Sequence, residues 1–320
     1  MSASGSKKLN GYYKSMQVNF TKYSIFYYIL SGILIIATIV SLSMFGLKFG
    51  IEFVGGSNME INFANARPSN EAVQKALESF KLGDITVQPT GATGAVLQFK
   101  GVDEATHQQI LTAINKLTPA TEKSFQYIGP SIGQELRNAT ELAIFLALLA
   151  ISFYIAFAFR KVSKPVSSWK YGITSLVALF HDVLIPIGVF SILGKFYNVE
   201  ITIPIVAALL TILGFSVHDT IVIFDRIREN ILRRGMGQFE DTVNWSLTQT
   251  LGRSISTVLT VEFVLVSLYF LGGETLKYFA LTLIIGITSG AYSSIFIASP
   301  LLVSWYKWSA HKELKNQAKR

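Results

Sequence analysis

The sequence predicts an α-helical membrane protein with six transmembrane helices and one α+β domain inserted between the first and second of them. Three observations predict it. Half of the 320 residues are hydrophobic and only 15% are charged, against roughly a quarter charged in an ordinary soluble domain, so the excess apolar surface needs lipid to face. Six apolar runs are long enough to cross about 30 Å of hydrocarbon. Between the first two runs lies a stretch with the alternating and helical patterns of a folded domain.

Residues 1–24 are polar and basic and read as a cytoplasmic segment. The first run, Ile25–Phe45, follows them. It reads as a span rather than a cleavable signal, because it is long, starts after polar sequence and has no small-residue cleavage pattern at its end.

Residues 46–140 read as an extracytoplasmic domain. Met59–Phe63, Ile85–Gln88, Ala95–Lys100 and Ser124–Ile128 read as strands. A helix carrying Ala72, Val73, Ala76, Leu77 and Phe80 on its apolar face follows Pro68, with Asn70 as its expected N-cap. A second begins at Asp103-Glu104 and uses Ile110, Leu111, Ile114 and Leu117. The order β-α-β-β-α-β is the ferredoxin-like pattern. Nothing in this domain points to catalysis, and His107 alone is weak support for a metal. Gly55-Gly56 and Gly129–Gly133 sit near its junctions with the membrane, where they permit sharp turns or hinges.

The remaining runs, Leu142–Phe159, Ile173–Leu193, Ile201–Phe224, Ile255–Leu271 and Leu276–Val303, make residues 141–305 a five-helix region, with a cytoplasmic connection near 226–250 and a cytoplasmic tail at 306–320. That connection reads as a continuation of the fourth helix that then lies at the interface, with Glu229 and Arg233 four apart on one face.

The formal net charge of +8 would suggest nucleic acid in a soluble protein. Its distribution argues otherwise. Lys7, Lys8, Lys14 and Lys22, then Arg160, Lys161, Lys164 and Lys170, then Arg226, Arg228, Arg233 and Arg234, and finally Lys307, Lys312, Lys315, Lys319 and Arg320 fall on one side, whereas the short connections of the other side offer Lys195 and Lys277. This asymmetry places both termini in the cytoplasm; membrane lipids are expected neighbours and nucleic acid is not.

Ionisable residues inside apolar spans cost at least a few kcal/mol and usually face a protein interior or a water path. Asp219 lies roughly 8 Å to the cytoplasmic side of the fourth span's midpoint, at about 1.5 Å per residue. It is a candidate proton carrier, or else part of a structural pair. His218 points about 100° away from it around the helix and could relay a proton or simply hydrogen-bond. His181 and Asp182, near the middle of the third span, could conduct or could fix helix packing. Arg253, at the start of the fifth span, could neutralise Asp219 or snorkel to headgroups. Glu262, midway along the same span, is a second possible proton or packing site. Gly286 and Gly290 give a GxxxG spacing whose partner could lie within the chain or on another subunit, and Pro186 could kink the third span near its acid.

An enzyme is not expected: the chain lacks cysteine, and no metal constellation, Ser-His-Asp grouping or nucleotide loop is visible. Accordingly no cofactor is expected.

Four segments carry a resemblance to a known family: Gly214–Asn230 (GFSVHDTIVIFDRIREN), Gly55-Gly56-Ser57, His181-Asp182-Val183, and Gln249-Thr250-Leu251-Gly252-Arg253. The sequence resembles the SecD/SecF family of bacterial protein-export membrane subunits, which is related to the resistance-nodulation-division transporters. The resemblance implies an accessory subunit that works with SecD beside the SecYEG channel. There it would use inward proton flow to help draw unfolded preproteins across after SecA has pushed them. It further implies Asp219 as the principal proton carrier and Arg253 as its basic neighbour. His218 departs from the family pattern, which has Asn there. Two alternatives remain: a proton-driven small-molecule or lipid exporter on similar spans, and a non-transporting assembly scaffold.

Overall fold

The computed structural model describes residues 18–83, 85–158, 166–234 and 239–317. Lys7, Lys8, Lys14, Arg160, Lys161, Lys164, Lys319 and Arg320, on which the orientation partly rests, lie outside the described residues, as does the side chain of Arg234. Among the described residues six helices are long and apolar enough to cross a membrane. The chain divides into two compact units, one made of Leu47–Ala143 with Tyr197–Val206 and the other of the remaining residues.

The first unit holds the inserted domain. After helix α1 (Ser24–Phe45) and the single turn α2 (Ile51–Val54) come strand β1 (Gly56–Phe63), helix α3 (Asn70–Leu77), strands β2 (Thr86–Thr90) and β3 (Gly94–Phe99), helix α4 (Glu104–Leu117) and strand β4 (Ala120–Ile128). The sheet is antiparallel with order β2-β3-β1-β4, the ferredoxin-like topology expected from the sequence. Alternation in the strands turns Met59, Ile61, Phe63, Leu97 and Phe99 inward, and the four-residue spacing of Val73 with Leu77 and of Ile110 with Ile114 turns the helices onto them. Each such side chain contributes about 1.5–3 kcal/mol of burial.

One expectation is corrected here. The N-cap of α3 is Ser69, whose hydroxyl accepts the Ala72 N–H at 3.2 Å, and Asn70 is the first helical residue. Asn70 instead donates to the Val87 carbonyl and accepts from Arg67. His107 is buried: its two ring nitrogens meet Glu104 and Glu122, and the ring stacks on Phe125. Gly55 and Gly56 both have positive φ. A side chain at Gly55 would strike Pro130 and one at Gly56 the Phe99 carbonyl, so glycine is required to start β1 beside the following helix.

The second unit is the helix bundle. Helix α5 (Pro130–Ala158) starts on a proline, which suits a first turn that needs no N–H donor. It is followed by α6 (Ser168–Tyr197), α7 (Ile203–Arg234), α8 (Phe239–Leu271) and α9 (Glu274–Ser293), and last by a π-helical segment (Ser294–Ala298) that runs into α10 (Ser299–Gln317). Half or more of the apolar stretch is buried in α6, α7 and the α9–α10 span, but under a fifth in α1, α5 and α8. The former three therefore form the centre and the latter the rim.

The stretch after Arg226 continues the fourth span's helix, α7, as far as Arg234. Its described residues are the last turns of α7 and the first of α8, which runs unbroken from Phe239. Ile227 and Ile231 share a core with Phe239, Val243 and Leu247, and the Asn230 amide donates to Ser246 at 2.8 Å and to Gln249 at 3.0 Å. Arg233 pairs with Glu229 at 2.7 Å, as their spacing predicts.

The partner of the GxxxG spacing is inside the chain. A side chain at Gly286 would overlap Ile212 of α7, and one at Gly290 would press on Ser216. Gly286→Val is therefore expected to lower the thermal midpoint of the purified protein by overpacking, about 1–3 kcal/mol. Ile212→Ala in the same chain should restore part of that loss. If Gly286→Val is as stable as the parent protein, this contact has been misjudged.

Candidate functional site

Among the described residues of the helix bundle, the candidate acids fall in three separate hydrogen-bonded groups. The most enclosed is centred on Asp182, which is 0% exposed. One of its oxygens accepts from His181 Nδ1 at 2.9 Å and Ser289 Oγ at 3.2 Å; the other accepts from Ser216 Oγ at 2.5 Å and Ser293 Oγ at 2.6 Å. Residues of α6, α7 and α9 thus converge on one carboxylate, made possible by the absence of a side chain at Gly290 beside Ser216. Pro186, one turn further along α6, lacks the N–H that would bond the Asp182 carbonyl. Beside this group, the Thr220 and Ser294 hydroxyls meet at 2.7 Å, Ser294 being the first residue of the π-helical segment.

Asp219 lies three positions after Ser216, a rotation of about 60° around α7. One of its oxygens accepts from Ser254 Oγ at 2.6 Å, and the other is buried with no partner among the described residues. Arg253 is exposed, and among the described residues no ion pair joins it to Asp219. The hydrogen bond that Asp219 accepts from α8 comes instead from Ser254, the residue next to Arg253. His218 is exposed. Glu262 forms the third group, accepting from Thr288 Oγ1 at 2.8 Å.

His181 Nε2 is also buried without a partner, beside a groove of about 240 Å³ lined by Tyr28, Ser31, Gly32, Ile35, Val177 and Leu301 among others.

Sequence reasoning passed over the hydroxyls that hold these acids. Ser216, Ser254 and Thr288 stood in apolar helices, and only their positions relative to another span gave them roles. It also passed over Glu52 and Glu200, which lie just outside apolar runs. Their apolar neighbours Phe49, Ile51, Phe53, Val199 and Ile201 were the available signal of burial.

Comparison with known proteins places this geometry in context. Residues 107–308 match the family described as "Protein export membrane protein SecD/SecF, C-terminal", and residues 40–66 match the SecD/SecF GG motif. Protein translocase subunit SecF of Thermobaculum terrenum is 48% identical over 295 residues, covering 87% of this chain and 91% of that one. The subunit of the same name from Vibrio alginolyticus is 37% identical, covering 89% and 88%. The crystal structure of SecDF, a translocon-associated membrane protein from Thermus thermophilus, superposes with a TM-score of 0.80 at 30% identity over 90% of this chain. This chain spans 38% of the length of that longer one.

Proposed function

The chain belongs to the SecD/SecF family of protein-export membrane proteins and cooperates in Sec-dependent export, and from that premise we propose that it couples inward proton flow to the late export of unfolded preproteins, with Asp219 as proton carrier. The observation that carries the reading is the Asp219 carboxyl, with one oxygen on Ser254 and the other enclosed and unpartnered, the position at which a proton can bind and leave. Arg253 on the adjoining helix is the counter-charge available when neighbouring helices rearrange. One charge crossing 100 mV releases about 2.3 kcal/mol, enough to bias two helix packings by a factor of tens.

A second six-span protein of the SecD kind is the proposed partner, beside a SecYEG channel served by SecA. Its support is the outer face of α7 and α8, where Thr211, His218, Arg253, Ser256 and Thr260 are exposed at positions that would otherwise meet lipid. The distribution of Lys and Arg supports cytoplasmic termini and an outward-facing domain at residues 46–140. In this reading His181, Asp182 and Glu262 serve the same conduction route or hold its helices in register.

The test is reconstitution of the chain with its partner and channel in vesicles, following proton uptake and protease protection of a preprotein together. An imposed proton gradient should raise both. Proton uptake without any gain in export would leave the coupling unsupported. His218→Asn should retain export within about twofold, because an amide conserves a hydrogen-bonding group of similar size. A loss as severe as removing the Asp219 carboxyl would instead make His218 part of the relay.

A further inference from the structure

The segment after α1 and the connection between α6 and α7 are zipped together inside one unit. Ile201 N–H donates to the Lys48 carbonyl at 2.7 Å and Gly50 N–H to the Ile201 carbonyl at 2.9 Å, a short parallel bridge centred on Phe49 and Ile201. Lys48 Nζ reaches Glu200 Oε1 at 3.4 Å and Asn198 Oδ1 at 3.4 Å. Asn198 turns the chain with φ 55°, and its carbonyl accepts from Gln88 of β2. Glu200, with only 8% of its side chain exposed, also accepts from Gln98 of β3.

A second acid stands beside this pair. Glu52, in the first turn of α2, folds back over Gly50, where any side chain would overlap its carboxylate. It is half-buried among the enclosed Ile51, Phe53, Val199 and Ile201. Two carboxyls and one partly exposed ammonium therefore gather at this bridge in one partial enclosure, and the Glu52 charge acts against that of Glu200. Burial pushes both acids above the ordinary carboxylate range; for Glu200, Lys48 and Gln98 oppose that push. The charged group behind the Phe49 ring is Arg137 of α5, 5.1 Å from the ring centre and paired with Glu141. The facing groups of the sheet, Gln88 and Gln98, are neutral. Gln98 Oε1 and its cross-strand neighbour Asn58 Oδ1 are buried acceptors without donors, so the sheet offers no second cation.

We propose that Lys48, Glu52 and Glu200 form a proton-operated latch, which fastens the 197–206 connection to the segment after α1 while the two carboxyls hold one proton between them and loosens when that proton leaves. The balance is simple. With one proton bound the enclosure is neutral, and without it one uncompensated negative charge remains in an apolar setting, which opens the bridge to water. This places a pH-responsive fastening on the connection that joins the helices bearing Asp182 and Asp219. It does not depend on the Asp219 reading, since its acids lie outside the spans.

The absence of cysteine allows a direct test. Val199, 5% exposed within the bridge, is replaced as Val199→Cys in the full chain, with Tyr197→Cys, 73% exposed in the parent, as the control for thiol ionisation. The rate of maleimide labelling at position 199 relative to 197 should rise severalfold between about pH 5 and about pH 8, across and above the ordinary carboxyl range. Adding Glu52→Gln removes one charge at nearly constant shape and should hold the ratio low throughout. Thermal unfolding supplies a second readout: acids held high when folded bind more protons folded than unfolded, so their stabilisation is present at low pH and is lost as pH rises. Glu52→Gln should flatten that slope. A pH-independent labelling ratio in the parent background, or a Glu52→Gln curve that follows the parent in both readouts, would overturn the latch.

Discussion

Asp219→Asn should abolish the gradient-dependent part of preprotein export while leaving a folded protein in the membrane. The amide keeps an oxygen that can accept from Ser254 and matches the carboxyl in shape, so the α7–α8 contact survives. The second carboxyl oxygen is replaced by an amide nitrogen in an enclosed place that offers no acceptor among the described residues, which costs about 1–3 kcal/mol. That loss is small enough for folding to persist. What disappears is the ability to gain and lose a proton, so proton uptake and its contribution to export should fall together to the level seen without a gradient. Asp219→Glu should recover part of both, because the titrating group returns with its position displaced by one methylene. The readout is paired proton uptake and protease-protected preprotein in vesicles holding the complete complex. Unchanged export in Asp219→Asn, at equal protein amount, would remove the proposed proton carrier from the mechanism.

The same residue marks the boundary of what sequence can say. Its depth in an apolar run was legible, because a carboxyl there is expensive wherever it points. Its partner was not. Arg253 and Ser254 are adjacent on a helix and lie about 100° apart, so one faces α7 and the other does not, and only the rotation of α8 decides. The structure turns Ser254 inward and leaves Arg253 outside. Similarly, Gly286 and Gly290 advertised close approach by their size alone, while the identity of the approaching helix waited on the positions of Ile212 and Ser216.

In the inserted domain, strand alternation and helical spacing disclosed the topology, since each pattern has only one way to bury its apolar face. The cap of α3 was less determinate. Ser69 and Asn70 are both good capping residues, and the choice fell to Ser69 because its extended backbone presents the hydroxyl to Ala72. The start of α5 at Pro130 was obscured by its polar opening turns. There Gln134 bonds Asn138 and Arg137 bonds Glu141 along the helix surface, so the helix begins well before its apolar stretch does.

Asp182 should respond to substitution in a way that separates packing from conduction. Its carboxylate accepts four hydrogen bonds contributed by α6, α7 and α9. Asp182→Leu would leave three serine hydroxyls and the His181 N–H without that acceptor. At about 1–3 kcal/mol for each buried group left unsatisfied, the sum rivals the whole stability of an ordinary domain. The substituted protein should fail to accumulate in the membrane. Asp182→Asn retains one acceptor and presents donors to Ser216 and Ser293, whose hydroxyls can rotate to accept. That chain should accumulate, with a thermal midpoint lowered by several degrees, since each 1 kcal/mol moves the midpoint of a protein this large by about 2–4 °C. Export per folded molecule should then stay near the parent level if the network's work is to hold three helices in register. If Asp182→Asn is abundant and stable yet loses proton-driven export as completely as Asp219→Asn, the buried network is itself part of the proton path, and His181 Nε2 beside the α1-facing groove becomes its end.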